Sequence, residues 1–184
     1  NLNNNNTTVG AVALTVGGDN DSTTYSGVLS NTVAGGSITK VGTGSLTFTG
    51  VNTYSGGTTV TGGTLKTGAT GNFGTGGVSV AGATLDLGNI GSIADNAAVT
   101  FTDSSSIQLD AVSGSEVIGS LFNSTTNTTL AGFGMFTAAQ LNSYFGDSVF
   151  SSGSGETLVV PEPASLSLIG IAAGSLLARR RRKA

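Results

Sequence analysis

The chain contains no Cys, no His and no Trp, only two Pro, and charged side chains at just 9% of its positions, against a usual ~25%. Each absence closes off a class of chemistry. Without Cys there is no disulfide framework, no thiolate metal site and no thiol nucleophile. Without His, the commonest neutral-pH general base and metal ligand is missing. Outside a terminal cluster the only cations are Lys40 and Lys66, set against ten acids. A body of that balance, net charge −8, cannot neutralise a run of phosphates, which excludes nucleic acid as a partner. The missing Cys leaves the compartment open, because exported chains also do without it.

What is abundant is Gly, 30 of 184 residues, roughly twice the usual ~7%. The length suits one domain plus an appendage. The opening Asn1-Leu2-Asn3-Asn4-Asn5-Asn6 offers neither Met nor an apolar h-region. The expectation is a mature end or a piece cut from a longer chain, with any export signal upstream.

Internal repetition organises the body. Thr59-Val60-Thr61-Gly62-Gly63-Thr64-Leu65-Lys66-Thr67-Gly68 aligns with Ser79-Val80-Ala81-Gly82-Ala83-Thr84-Leu85-Asp86-Leu87-Gly88 at an offset of 20 residues. A weaker third copy runs from Val99 to Leu109, and Thr24-Tyr25-Ser26-Gly27 is echoed by Thr53-Tyr54-Ser55-Gly56. Each unit reads as two short alternating strands around a small-residue corner. Val60, Leu65 and Thr67 point inward in the first copy, Val80, Leu85 and Leu87 in the second, and Phe101, Ile107 and Leu109 in the third. Strands this short cannot bury a face alone, but stacked at about 4.8 Å they pair every backbone and build a continuous apolar column. Rungs of ~20–30 residues with Gly corners predict a parallel β-helix, or β-solenoid. An antiparallel sandwich is the rival, disfavoured by the fixed offset. The stacking puts Lys66, Asp86 and Gln108 at equivalent outward positions, with Lys66 beside Asp86 in a solvated ladder worth ~0–1 kcal/mol.

The solenoid is expected over 1–110 and a cap region over 111–150. In the cap, Thr137-Ala138-Ala139-Gln140 has capping-box spacing, and Leu141, Tyr144 and Phe145 follow at helical intervals before Gly146. Phe133, Met135 and Phe136 are expected to pack beneath that helix, which would cover the last rung and its strand edges. Ser151-Ser152-Gly153-Ser154-Gly155 reads as a flexible linker over 151–160.

The tail over 161–184 carries the clearest signal. Pro161-Glu162-Pro163 precedes an uncharged run from Ala164 to Ala178, and then come Arg179, Arg180, Arg181, Arg182 and Lys183. As a helix the run would span about 22 Å, short of the ~30 Å hydrocarbon core. Snorkelling Arg and bilayer thinning close most of the gap. The basic cluster would hold the C-terminus in the cytoplasm and leave the body outside.

These three parts, in this order and touching the terminus, resemble the PEP-CTERM sorting signal. The resemblance implies export and transient retention in the inner membrane. It also implies recognition by an exosortase at the sorting motif Pro161, Glu162, Pro163 and removal of the tail near it. The tail looks less like a Gram-positive sortase signal, since no Leu-Pro-x-Thr-Gly precedes the apolar run. In the body, the stretch from Ile38 through Val60 to Gly68 is similar to the autotransporter-associated β-strand repeat. That resemblance implies a right-handed parallel β-helix in a bacterial surface or secreted protein, here followed by a single membrane-spanning sorting helix. A true autotransporter ends instead in an outer-membrane barrel, so the likeness supports the β-helix and not self-secretion.

Some β-helix proteins cleave polysaccharides, a chemistry that needs paired carboxylates or acids with Ca²⁺ and a basic residue. Only Asp19 and Asp21 are closely spaced. Gly17-Gly18-Asp19-Asn20-Asp21 lacks the repeated Ca²⁺-binding nonapeptide and reads as an ordinary turn. No catalytic residue, metal ligand or cofactor is nominated. Asn-x-Ser/Thr triplets at Asn5, Asn6, Asn20, Asn123 and Asn127 are what a Thr/Ser/Asn-rich chain produces by chance. Three functions follow. The first is a non-catalytic surface or matrix stalk, with exopolysaccharide as a conceivable partner. The second is a carbohydrate-binding or adhesive module using Tyr25, Tyr54 and outward Thr/Asn rows. The third is the C-terminal part of a polysaccharide-active enzyme whose site lies upstream. An exposed aromatic row would mark the second, and uniform Thr/Ser/Asn faces the first.

Overall fold

The computed structural model describes residues 2–4, 12–110, 114–153 and 156–162. It is all-β apart from one helix. The chain runs β1 (Leu2–Asn4), β2 (Ala13–Val16), β3 (Thr23–Tyr25), β4 (Leu29–Asn31), β5 (Ser37–Lys40) and β6 (Ser45–Phe48). It continues β7 (Thr58–Val60), β8 (Thr64–Thr67), β9 (Val78–Val80), β10 (Thr84–Leu87), β11 (Ala98–Phe101) and β12 (Ser106–Leu109). The C-terminal part is β13 (Ser115–Val117), β14 (Ser120–Asn123), β15 (Thr128–Thr129), β16 (Gly134–Thr137), α1 (Ala138–Phe145), β17 (Phe150–Ser152) and β18 (Thr157–Val160).

These strands stack as a β-solenoid of about five turns. One face is the parallel ladder β2-β5-β7-β9-β11-β14, closed by antiparallel β15, and the second is β3-β6-β8-β10-β12-β17. The register carries Thr59 onto Ser79 and Leu65 onto Leu85, the offset visible in the sequence. Ile107 and Leu109 continue the column above Leu85 and Leu87. Alternation is what makes the core: β6, β8 and β12 each read half-buried, buried, half-buried, buried along the strand. Val60, Leu65, Leu85, Leu87, Phe101 and Leu109 are almost wholly buried, each contributing roughly 1.5–3 kcal/mol. The Tyr25 and Tyr54 echo is not a structural equivalence. Tyr25 lies on β3 paired with Phe48, whereas Tyr54 follows β6 on the third side.

That third side has few regular strands, and side chains replace the missing ladder. The Asn52 carboxamide accepts from Leu29 N–H (2.9 Å), and Asn72 accepts from Asn52 N–H (2.6 Å). Asn89 donates to the carbonyls of Gly68 and Gly71. Glu116 closes the series, its two oxygens accepting from Ile93 N–H (2.5 Å) and Gly91 N–H (2.6 Å). Close backbone approach at the corners explains part of the Gly excess. Gly42 sits at φ +69°, and a Cβ there would overlap the Gly17 carbonyl of the adjacent rung.

The last turn carries the cap as an insertion. Ile107 pairs with Phe150, 43 residues on, where other turns advance about 20. Within it α1 forms as the sequence predicts. Thr137 and Gln140 make a reciprocal capping box, and Gly146 ends the helix at φ 73°. Its buried face is Ala138, Leu141 and Phe145, with Phe145 edge-on to Phe101 at 5.0 Å. Phe133 and Met135 do not lie beneath the helix as expected; both are exposed, and only Phe136 packs on the core. The stretch 151–160, expected to be a linker, supplies the end of β17 and all of β18, with Leu158 and Val160 buried. The expected membrane helix lies outside the described residues. Among the described residues, no helix is long and apolar enough to cross a membrane.

Candidate functional site

The tail leaves the body from β18, and the anchoring of this strand defines the junction. β18 lies between β13, parallel to it, and β16, antiparallel. Ser115 and Thr157 hydroxyls meet at 2.7 Å, and Val159 O accepts from Ile118 N–H at 3.0 Å. The register ends at Val160 opposite Gly134. Pro161 has no N–H to offer, so the ladder stops there on chemical grounds. Pro161 and Glu162 are exposed at once. The first two residues of the expected sorting motif therefore sit on the surface directly behind a strand held on both edges. Pro163 and the basic cluster Arg179, Arg180, Arg181, Arg182 and Lys183 lie outside the described residues.

The candidates on the solenoid wall behave differently. Lys66, Asp86 and Gln108 share one register line, and Lys66 Nζ reaches Asp86 Oδ2 at 2.5 Å. Asp86 is buried between its neighbours rather than solvated, and its Oδ1 accepts no hydrogen bond among the described residues. Asp19 and Asp21 are exposed beside Asn20, whose N–H donates to Gly17 O and whose Oδ1 accepts from Thr43 N–H. This is a turn stitched to the next rung. No group of three His, Cys, Asp or Glu able to hold a metal occurs among the described residues. Tyr54 is buried, its hydroxyl 2.6 Å from Thr58 Oγ1. Burial pushes its phenol pKa well up. Tyr25 stacks edge-on against Phe48 at 6.3 Å. Neither ring belongs to an exposed aromatic row.

Among the buried charged groups that escaped the sequence argument, Lys40 and Glu116 are the best defined. Lys40 points inward, in line with Val60 and Val80, and is fully buried. Its ammonium donates to the carbonyls of Val41 (2.7 Å), Gly42 (3.2 Å) and Gly62 (3.3 Å) at the corner. Burial lowers its pKa. The offset of 20 residues that aligned Val60 with Val80 also aligns Lys40 with Val60, so the signal was present. Lys40 is among the residues lining a 380 Å³ cavity in the N-terminal rungs, together with Leu14, Ile38, Leu46 and Phe48. The second is Glu116, facing Leu158 across the ladder. Burial raises its pKa, backbone N–H groups of Ile93, Gly91 and Ser92 oppose the rise, and Asp95 adds to it. It occupies a strand position with no repeat partner, so no periodicity could point to it.

Comparison with known proteins recovers both halves of this architecture. Residues 38–66 match the passenger-associated-transport-repeat, and residues 159–183 match the PEP-CTERM protein-sorting motif. The first spans β5 to β8, two successive rungs. The second begins inside β18 and runs through the basic cluster. Neither a curated protein nor a solved structure shows significant similarity to the chain. Together the two matches point to an exported protein bound for the cell surface.

Proposed function

We propose that the chain is a non-catalytic surface or extracellular-matrix stalk, retained at the inner membrane through residues 164–178 until an exosortase-type enzyme removes its tail. The observation that carries this is the junction. A sorting motif matching over 159–183 begins on the last paired strand and becomes exposed at Pro161. A processing enzyme would meet an accessible motif, and cutting beyond it would leave every described strand pair in place. A scaffold role is supported by the wall, whose interior rows are mostly apolar, with Lys40, Thr58, Thr67 and Asn123 as buried polar exceptions, and whose aromatic side chains face inward or belong to the cap. An adhesive site built on Tyr25 and Tyr54 loses its basis, since Tyr54 is buried and Tyr25 packs on the core.

The mature protein is expected to lack residues 164–184. Mass spectrometry of the C-terminal peptide from the native host decides it. A terminus at or near the motif supports processing, and a surface-exposed protein still carrying Arg179–Lys183 overturns it.

A further inference from the structure

Among the described residues six large apolar side chains are exposed; Val12, Val51 and Ile90 are scattered along the chain, and the other three lie together in the cap. Phe133, Met135 and Tyr144 are 46%, 63% and 42% exposed, and all three belong to the cap. Tyr144, on α1, donates its hydroxyl to Thr129 O (3.0 Å) and accepts from Ala131 N–H (2.8 Å), which holds the ring beside the segment leading into Phe133. Phe133 and Met135 flank Gly134, the register partner of Val160. Val160 is the last residue of β18, and Ala164 opens the apolar run four residues later. Four residues of chain reach at most ~14 Å. The run therefore starts close to this patch, whatever path the chain takes. Charge points the same way. Residues 117–146 contain no Asp, Glu, Lys or Arg, in a body whose net charge is −8. An acidic wall is repelled by an anionic lipid surface, whereas an uncharged face is not.

We infer that the cap face carrying Phe133, Met135 and Tyr144 is a membrane-contact surface, seated in the headgroup region of the bilayer that holds the tail. The chemistry fits that site. Tyr presents an apolar ring and a hydrogen-bonded hydroxyl, the combination that favours membrane interfaces, and Phe and Met supply apolar area at shallow depth. The inference rests on the proposed retention of residues 164–178 in the membrane. It adds that the solenoid stands on its cap, with its N-terminal rungs directed away from the lipid.

The chain has no Trp, so one introduced Trp is a background-free probe. Full-length chain carrying Met135→Trp, Phe133→Trp, Val51→Trp or Leu168→Trp is reconstituted into vesicles of phosphatidylcholine and phosphatidylglycerol. Each is compared with and without lipid brominated near the glycerol end of the acyl chain. Val51 is exposed on the wall and serves as the solvent reference, and Leu168 reports the tail. The expected result is quenching at Leu168→Trp, and quenching at Met135→Trp and Phe133→Trp several-fold above Val51→Trp. Quenching at Leu168→Trp alone overturns the inference and leaves membrane retention standing. A blue shift at Met135→Trp without lipid quenching marks contact with a second copy and also overturns it. No quenching at Leu168→Trp removes the retention on which it rests, and the inference falls with it.

Discussion

Gly71 offers the most direct test of why this chain needs so much glycine. Its φ is not in the left-handed region, so conformational freedom is not the reason for it. A Cβ added there would instead lie closer than 3.0 Å to the Phe48 carbonyl oxygen on the preceding rung. That oxygen already accepts from Gly68 N–H at 2.8 Å. It is backbone, so it cannot swing aside as a side-chain end would. Admitting a methyl requires the rungs to part locally or the hydrogen bond to break. Overpacking of this kind costs about 1–3 kcal/mol, and the lost bond adds about 1. Restricting the unfolded chain returns about 0.4–1 kcal/mol. Gly71→Ala should therefore destabilise by about 2–3 kcal/mol, which for a chain of this size lowers the thermal midpoint by roughly 4–12 °C. Gly18→Ala is the control, because a Cβ there meets nothing within 4 Å. Only the unfolded-state term applies, so its midpoint should hold or rise slightly. Thermal melts followed by circular dichroism on the two variants decide the matter. Equal shifts, or a Gly71→Ala midpoint matching that of the parent chain, would show that inter-rung contact is not what selects glycine.

Two further outcomes follow from the charged groups. Lys66→Met strands the Asp86 carboxylate between rungs. Breaking a fully buried pair costs about 3–5 kcal/mol, but the Lys66 side chain is 39% exposed, so a loss of about 1–2 kcal/mol is expected. Lys66→Met with Asp86→Asn should recover most of it, and a double-mutant coupling near zero would place the pair among the inconsequential surface bridges. Burial raises the folded pKa of both Asp147 and Glu116, so both contribute to the pH response, and Glu116 is the more buried of the two, its folded pKa lying above its unfolded value of about 4.3. The folded state binds its proton first on acidification, so this group adds stability as the pH falls through the raised pKa toward the unfolded one and withdraws it as the pH rises. The thermal midpoint should therefore not fall between neutral pH and about pH 5. Glu116→Gln should flatten the dependence, and an unchanged slope in that variant would count against the assignment.

How far the sequence alone reaches depends on whether a residue's role is periodic. Val60, Leu65, Val80, Leu85, Phe101, Ile107 and Leu109 were placed inside by offset and alternation, and all are buried. The α1 boundaries followed from local chemistry, a capping box at Thr137 and a left-handed Gly146. The misreadings arose where tertiary context overrode composition. Ser151 and Ser152 look like linker, yet they extend the β12 ladder because Phe150 inserts as the next interior residue above Ile107. Asp86 looked solvated because its strand position faces outward, yet neighbouring rungs bury it. The carboxamides of Asn52, Asn72 and Asn89 stood in a Gly/Thr/Asn background where any one of them reads as a turn residue. Only the stacking shows that they carry the third side's hydrogen bonds. The tail motif was legible from Pro161-Glu162-Pro163 onward, but the junction was not, because 157–160 reads as linker and only the pairing with β13 and β16 shows that a strand runs up to Pro161.

The charge distribution and the junction make a single argument about timing. Before processing, the chain joins an acidic body to a cluster of five cations at 179–183. Each Lys or Arg near an anionic leaflet contributes about 1 kcal/mol, so in the proposed retained state the tail would hold the molecule to the membrane by charge as well as by apolar length. Cutting beyond Pro161–Pro163 removes that attraction in one step and leaves the two lysines against ten acids. One of those lysines, Lys40, is buried with its three hydrogen bonds already taken up by corner carbonyls, and the other, Lys66, is paired with Asp86. On the proposed processing, the released body would keep a net charge of −8, which an anionic lipid surface repels. The scarcity of body cations, which first served only to exclude nucleic acid, thus also bears on the proposed release, because a body cut free of its tail would have only Lys40, which is buried, and Lys66, which is paired, to attract it to lipid.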